Sequence, residues 1–284
     1  MKNSTLLIIV GVESSLTELG KKLEAVRTLP AFAKVLVVGV TPIYPYYAMG
    51  VPPYGTIAVP EEWQSSVAES KAALETKADE IEALLAQHDV SGEVCILACD
   101  PPSVDESVAR HAMLCDIAIV ADGLRQAETT FKQTLYGVLF KSPVGIVLNN
   151  HNFQAFFAPK KVLVAWDSQL HSARAVHQAL PLLRQAEEVI IATVDPVTTE
   201  YNDGEDPGVD IAKWLSHHGC NVDVQQFPSG GKPIGDSILK RVREVGVDLV
   251  VMGAFGRSRT REAFFGGTTR TLIEQTDHAV FLAH

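Results

Sequence analysis

The sequence predicts an α/β protein of two tandem domains, each a doubly wound sheet of five parallel strands. Two observations support this fold class. Short runs of Val, Ile and Leu alternate with amphipathic segments of helical period, and this alternation occurs twice along the 284 residues. Continuous apolar runs such as Lys161-Val-Leu-Val-Ala-Trp166 are typical of strands buried on both faces of a parallel sheet.

The first copy of the pattern contains five predicted strands and one long helix. The helix, rich in Ala, Glu and Lys, is expected from about residue 61 to residue 88. The strands are expected at residues 6–10, 34–40, 92–98, 116–120 and 144–148. Asp116-Ile-Ala-Ile-Val120 in this copy corresponds to Asp248-Leu-Val-Val-Met252 in the second copy. The two copies therefore share one order of elements.

The second copy repeats the order of strand, helix and crossover. Leu170, Ala173, Val176, Leu180 and Leu183 are spaced three or four residues apart, which predicts a helix packed on the sheet. Further helices are expected at residues 209–218, 233–245 and 268–275, and strands at 161–166, 189–194, 221–227, 248–252 and 279–283. The polar segment at 149–154 is the predicted linker, so domains are expected at residues 1–150 and 158–284.

The overall charge excludes some classes of partner. Lys and Arg number 24 against 34 Asp and Glu, which gives a formal net charge of -10 and opposes broad binding to nucleic acid or an anionic membrane. The apolar runs are shorter than a membrane span, and the N-terminus has no small-residue cleavage site. Four cysteines are too few for a disulfide framework. We therefore expect a cytoplasmic protein.

One insertion interrupts the symmetry between the copies. It begins at Thr41, ends at Pro60 and contains five prolines and four tyrosines, so it cannot form a helix interior or a central strand. One interpretation is a surface loop over the end of the sheet. The other is a loop that binds a protein partner, because exposed Tyr and Pro on an irregular segment suit recognition.

The candidate ligand site lies where the first and fourth strands of the second copy end. Open parallel sheets bind ligands beyond the carboxyl ends of their strands, where the strand order reverses. Asp167 follows the first of these strands, and Gly253 and Gly256 follow the fourth, where glycine lets a ligand approach the backbone.

The sequence after these glycines predicts an anion site. A helix N-terminus attracts anions, and four residues lead into one here: Gly266, Gly267, Thr268 and Thr269. Four arginines, Arg257, Arg259, Arg261 and Arg270, add positive charge. A phosphate-bearing ligand is predicted.

This loop resembles the nucleotide-binding pattern of the universal stress protein family: Gly, two residues, Gly, nine residues, Gly, then Ser or Thr. The spacing of Gly253, Gly256 and Gly266 is the same, although Gly267 stands at the Ser/Thr position and the hydroxyl arrives at Thr268. The resemblance implies that Asp167 contacts the adenosine portion of ATP and that the backbone of Val194 contacts adenine.

The same resemblance covers the chain as a tandem pair of domains. It implies Rossmann-like, adenine nucleotide alpha hydrolase-like domains and ATP, possibly with Mg, or another adenine nucleotide as the ligand. It also implies a stress-response role, and either a pseudo-dimeric monomer or a homodimer. The first copy has Glu13 in place of Asp167 and Ala121-Asp-Gly-Leu124 in place of Gly253-Ala-Phe-Gly256. We expect the first domain to be degenerate.

Other motifs receive simpler interpretations. Ser229-Gly-Gly-Lys232 resembles the loop of ATP pyrophosphatases but follows the third strand of its domain, so a turn before Pro233 is favoured. His217, His218 and Cys220 are interpreted as a helix end, with no metal site predicted. Ser-His-Asp, Walker and His-Glu-x-x-His patterns are not found, so no catalytic residue is assigned. Three functions stay open: a nucleotide-dependent regulator, a slow ATP-hydrolysing enzyme at the same site, and an interaction scaffold.

Overall fold

The predicted alternation of strands and helices is present in a computed structural model of the chain. The structure describes residues 3–43, 60–151, 156–199, 205–254 and 267–284. The chain divides into two units, Lys2–Pro143 and Val144–His284, each with parallel strands and helical crossovers, which confirms the predicted fold class. Among the described residues, no helix is long and apolar enough to cross a membrane.

The N-terminal unit contains four parallel strands in the order β3-β2-β1-β4. The apolar side chains of β1 are completely buried, as expected for a central strand. The strands are β1 (Ser4–Gly11), β2 (Ala31–Val40), β3 (Gly92–Cys99) and β4 (Ile117–Val120). The helices are α1 (Leu16–Arg27), α2 (Glu61–Gln87), α3 (Val104–Ala112) and α4 (Glu128–Lys141), with 3₁₀ helices at Pro101–Ser103 and Asp122–Gln126.

The C-terminal unit contains six strands in the order β5-β10-β9-β6-β7-β8. All neighbouring pairs are parallel except β5 with β10. The strands are β5 (Gly145–Leu148), β6 (Lys161–Ala165), β7 (Glu188–Val194), β8 (Val222–Phe227), β9 (Leu249–Gly253) and β10 (Ala279–Ala283). The helices are α5 (Leu170–Leu183), α6 (Val209–His217), α7 (Ile234–Val245) and α8 (Gly267–Glu274).

Strand β5 pairs antiparallel with β10, a partner that the sequence pattern does not predict. The sequence predicts β5 as the last strand of the first domain, whereas in the structure it belongs to the C-terminal unit. Gly145 lets β5 pack closely, because a Cβ there would lie 2.1 Å from Cζ of Phe281. The side chain of Asn149 then donates a hydrogen bond of 2.6 Å to the Gln275 carbonyl. Asn149, the first residue of the predicted linker, is thus held by this unit.

A pair of aspartates shows the internal repeat directly. Asp116 and Asp248 precede β4 and β9, and each carboxylate accepts a backbone N–H at the start of the neighbouring first strand. The donors are the amide of Thr5 at 2.7 Å and that of Lys161 at 3.0 Å. The amides of Asp116 and Asp248 donate to the carbonyls of the same two residues, both at 2.9 Å. Each unit therefore fixes the register of its first and fourth strands with the same contact.

Candidate functional site

The carboxyl ends of β6, β7 and β9 lie side by side in the C-terminal unit. Strand β6 is the middle strand of the three, because Ala165 pairs with Ala192 of β7 and with Met252 of β9. Asp167 lies two residues beyond this level, while Val194 and Gly253 end β7 and β9. The strand register therefore brings these three predicted site residues to one edge of the sheet, where doubly wound sheets bind ligands.

The Asp167 carboxylate is held by its own loop and by the first turn of α5. Oδ1 accepts hydrogen bonds from the Ser172 hydroxyl at 2.5 Å and from the Gln169 amide at 3.2 Å. Oδ2 lies 3.1 Å from Nε2 of His171. Burial raises the pKa of Asp167, but the hydrogen bonds from His171 and Ser172 outweigh it, so the pKa lies below its ordinary value. The carboxylate is ionised at neutral pH, and its side chain is 53% exposed.

Gly253 is required by packing inside the protein. A Cβ at this position would lie 2.3 Å from Cδ2 of His171 and 2.5 Å from the Ser172 nitrogen, far inside van der Waals contact. The end of β9 therefore touches the first turn of α5, and His171 contacts both Gly253 and Asp167. His171 was not among the predicted site residues. The sequence could have indicated it, because a histidine four residues after an aspartate at the start of a helix lies on the same side of that helix.

The start of α8 supplies the other described part of the predicted site. A Cβ at Gly267 would meet nothing within 4 Å, so the first residue of this helix faces open space. Thr268 is half-buried, whereas Thr269 is buried. Arg270 is exposed and pairs with Glu274, with 2.6 Å between Nε and Oε1. The N-terminal amides of α8 that have no partner in the helix are a favourable place for an anion.

The remaining predicted residues of the glycine-rich loop lie outside the described residues. They are Gly256, Arg257 and Gly266, together with Arg259 and Arg261. Most of the insertion between Thr41 and Pro60, including all four of its tyrosines, lies outside them as well. The predictions that rest on these residues stay predictions.

The Ser229-Gly-Gly-Lys232 segment forms a turn at the same edge, as predicted. Gly230 and Gly231 both have positive φ, 64° and 77°, a conformation that glycine adopts without strain. The Asp195 carboxylate accepts the Ser229 amide at 2.9 Å, and Ser229 Oγ accepts the Gly231 amide at 3.1 Å. Hydrogen bonds from the Ser229 hydroxyl and from the Ser229 amide lower the pKa of Asp195. The amides of Ser229 and Gly231 are thus paired within the turn.

The corresponding region of the N-terminal unit has a different construction. Seven residues separate β4 from α4, whereas thirteen separate β9 from α8. The short connection forms the 3₁₀ helix Asp122–Gln126, in which a Cβ at Gly123 would lie 2.8 Å from Cα of Ser14. The connection therefore packs on the loop after β1. A long loop of the C-terminal type is absent from this described region.

The alignment of Glu13 with Asp167 holds only when residues are counted from the helices. Leu6 pairs with Ile117 and Val162 with Leu249, so Gly11 is the equivalent of Asp167 when residues are counted from the strands. The two ways of counting disagree because six residues separate Ile9 from Leu16, whereas four separate Ala165 from Leu170. In the longer loop, the Ser14 hydroxyl accepts the Gly11 amide at 2.9 Å.

Comparison with known proteins agrees with this fold. Residues 159–284 match the model of the universal stress protein family. A universal stress protein from Archaeoglobus fulgidus DSM 4304 has a TM-score of 0.63 at 17% identity, over 98% of this chain and 95% of that chain. A putative universal stress protein from Pseudomonas aeruginosa UCBPP-PA14 has a TM-score of 0.54 at 13% identity, over 99% and 93%. A search of curated protein sequences found no match.

Proposed function

The C-terminal domain, residues 159–284, belongs to the universal stress protein family, and from this premise we propose that it binds ATP or a related adenine nucleotide. Family membership supports a role in a stress response. The proposal adds that the bound nucleotide regulates this role by changing the conformation of the domain or its affinity for a protein partner. Binding, rather than catalysis, is the proposed activity of the site.

The ionised Asp167 carboxylate at the sheet edge is the observation that carries this proposal. A carboxylate accepts about four hydrogen bonds, and Asp167 receives three from the described residues around it. One acceptor position on Oδ2 is therefore available to a ligand. A hydroxyl donor such as a ribose hydroxyl fits this acceptor, while a phosphate beside the same carboxylate would be repelled.

A second group of residues fits the phosphates. The open space at Gly267 and the helix N-terminus that begins there favour a negative charge. Thr268 offers a hydroxyl donor on the same turn. Asp167 and the Val194 backbone would then hold the nucleoside, and Gly267 and Thr268 the phosphates. A bound Mg ion would supply charge neutralisation between the phosphate oxygens.

Calorimetric titration of the full chain with Mg-ATP tests this assignment. Gly267→Asp places a carboxylate in the open space beside the proposed phosphates, so we expect it to weaken ATP binding by roughly ten-fold or more. Gly267→Ala is the matched control, because its Cβ meets no neighbour, and it should leave the affinity nearly unchanged. Equal affinities of the two variants would contradict the phosphate assignment, and no binding by the wild-type chain would contradict the proposal itself.

The same samples distinguish the regulator from a slow enzyme. ADP release is followed over hours with the wild-type chain and with Asp167→Asn. Saturable binding without ADP release supports the regulator. Steady release that Asp167→Asn abolishes would favour hydrolysis at this site and overturn the binding-only proposal.

A further inference from the structure

His171 lies between the two parts of the proposed nucleotide site that follow β6 and β9. Its Nε2 is 3.1 Å from Oδ2 of Asp167, and a Cβ added to Gly253 would lie 2.3 Å from its Cδ2. The His171 side chain is only 12% exposed, so the end of β9 and the Asp167 loop leave the ring little room. A ligand that approaches Asp167 therefore meets a carboxylate to which His171 is already bound.

The direction of the His171 hydrogen bond follows from the charge of its partner. An ionised carboxylate has no proton to donate, so Nε2 of His171 donates and Oδ2 of Asp167 accepts. Each carboxylate oxygen has about two acceptor positions. His171 thus occupies one of the two positions on Oδ2, the kind of position that a ligand hydroxyl would need.

Both acceptor positions of the other Asp167 oxygen are also in use. Oδ1 accepts the Ser172 hydroxyl at 2.5 Å and the Gln169 amide at 3.2 Å. Ser172 is 3% exposed, and Gln169 donates from the backbone. A ligand would have to open the first turn of α5 to displace either donor. One acceptor position, on Oδ2, is left for a ligand.

A single acceptor position limits how Asp167 can hold a ribose. The 2′ and 3′ hydroxyls are neighbours on one side of the sugar ring, and a carboxylate with two vacant positions can accept both. With one vacant position, Asp167 accepts one of them. A hydrogen bond to a charged acceptor is stronger than one to a neutral group or to water. The two hydroxyls should therefore contribute unequally to the affinity.

We propose that His171 is a specificity-determining residue that restricts Asp167 to one hydroxyl of the ribose, a role that rests on the adenine nucleotide site proposed for this domain. The consequence is a defined selectivity. A nucleotide that lacks the bound hydroxyl binds weakly, whereas a nucleotide that lacks the other hydroxyl binds nearly as well as ATP.

Calorimetric titration of the full chain with the magnesium salts of ATP, 2′-deoxy-ATP and 3′-deoxy-ATP measures this selectivity. We expect one deoxy analogue to bind within roughly two-fold of ATP and the other to bind roughly five-fold more weakly or worse. Equal losses for the two analogues, or no loss for either, would overturn the role of His171 and leave ATP binding intact. Absence of binding by ATP itself would contradict the proposed function, and the role of His171 with it.

Variants of His171 test whether this residue causes the selectivity. His171→Leu removes the donor and vacates a second position on Oδ2, so the affinities of the two analogues should come within roughly two-fold of each other. His171→Gln keeps a donor and should retain the difference. A loss of packing alone would weaken all three nucleotides alike and leave the ratio between the analogues unchanged. An unchanged ratio in His171→Leu would therefore overturn the proposal.

A second aspartate at the same edge provides the matched control for Asp167. Asp195 follows β7, is also exposed, and accepts the Ser229 amide at 2.9 Å. Asp167→Ala should abolish the difference between the two analogues, whereas Asp195→Ala should preserve it. The opposite result, with the difference abolished only in Asp195→Ala, would place the ribose at Asp195 and show that the assignment is wrong.

Discussion

The loop around Asp167 orients a single carboxylate without any contribution from a ligand. Ser168 adopts a positive φ of 58°, a conformation that is uncommon for residues other than glycine. The turn aims the Asp167 oxygens back at the Gln169 amide and the Ser172 hydroxyl. A carboxylate fixed before binding loses little conformational entropy when it accepts a further hydrogen bond. The unusual backbone angle thus serves the proposed site.

The lowered pKa of Asp167 makes the free energy of unfolding depend on pH. Its pKa in the folded protein lies below the ordinary value of 3.8, so the unfolded chain takes up the proton more readily than the folded protein does. The stabilisation is therefore complete above pH 3.8 and decreases as the pH falls through the lower folded value. Because the side chain is about half exposed, we expect a contribution below about 1 kcal/mol.

Urea denaturation of wild type and Asp167→Asn measures this contribution. At pH 7 the variant should have the lower unfolding midpoint, and at about pH 3 the difference between the two proteins should narrow. Asp79→Asn is the control, because Asp79 is exposed in the middle of α2 and should shift neither midpoint. A difference that stayed constant between the two pH values would contradict the assigned cause.

Among the elements, the contact between β9 and α5 depends on the absence of a side chain at Gly253. Gly253→Ala forces a Cβ to within 2.5 Å of the α5 backbone, so the helix must shift. We expect a loss of roughly 1–3 kcal/mol in the free energy of unfolding. Gly267→Ala, with open space around it, should change stability by less than about 0.5 kcal/mol. Comparable effects of the two substitutions in urea denaturation would show that the close approach is unimportant.

Periodicity predicted the elements well because it reports burial. The apolar runs that became β1, β6 and β9 are buried on both faces, and this burial is the property that the pattern records. The position of Asp167, Val194 and Gly253 at one edge followed from strand order alone. The partner of β5 did not, because its four-residue apolar run is compatible with several partners, and the packing of Phe281 on Gly145 involves residues far apart in the sequence.

The role of Gly253 and the cavity at the carboxyl ends of β1 and β2 also could not be obtained from local pattern. Glycine in a loop after a strand predicts a close approach but does not identify what approaches, and here His171 does. The first domain was expected to be degenerate because it lacks the glycine pattern. A missing motif gives no information about cavity shape, which depends on the ends of β1 and β2 and on α2 together.

For the whole molecule, the two copies of the repeat share one order of elements but differ in the length of the loops at their ligand edges. Both copies keep the aspartate that fixes the first and fourth strands. The connection after the fourth strand is long and glycine-rich in one copy and a short 3₁₀ helix in the other. The net charge of -10 is thus a poor guide to the proposed ligand, because the residues at the sheet edge decide what can bind there.

The boundary between the units determines where the chain can be divided without loss of stability. β5 pairs with β10 inside the C-terminal unit, and without β5 the edge of β10 would be exposed, together with the face of Phe281 that packs on Gly145. A fragment of residues 144–284 should therefore be more stable than a fragment of residues 151–284, by several kcal/mol in urea denaturation. Both fragments contain the proposed nucleotide site, so any difference between them reports β5. Equal stability of the two fragments would mean that β5 is dispensable for the folding of the C-terminal unit.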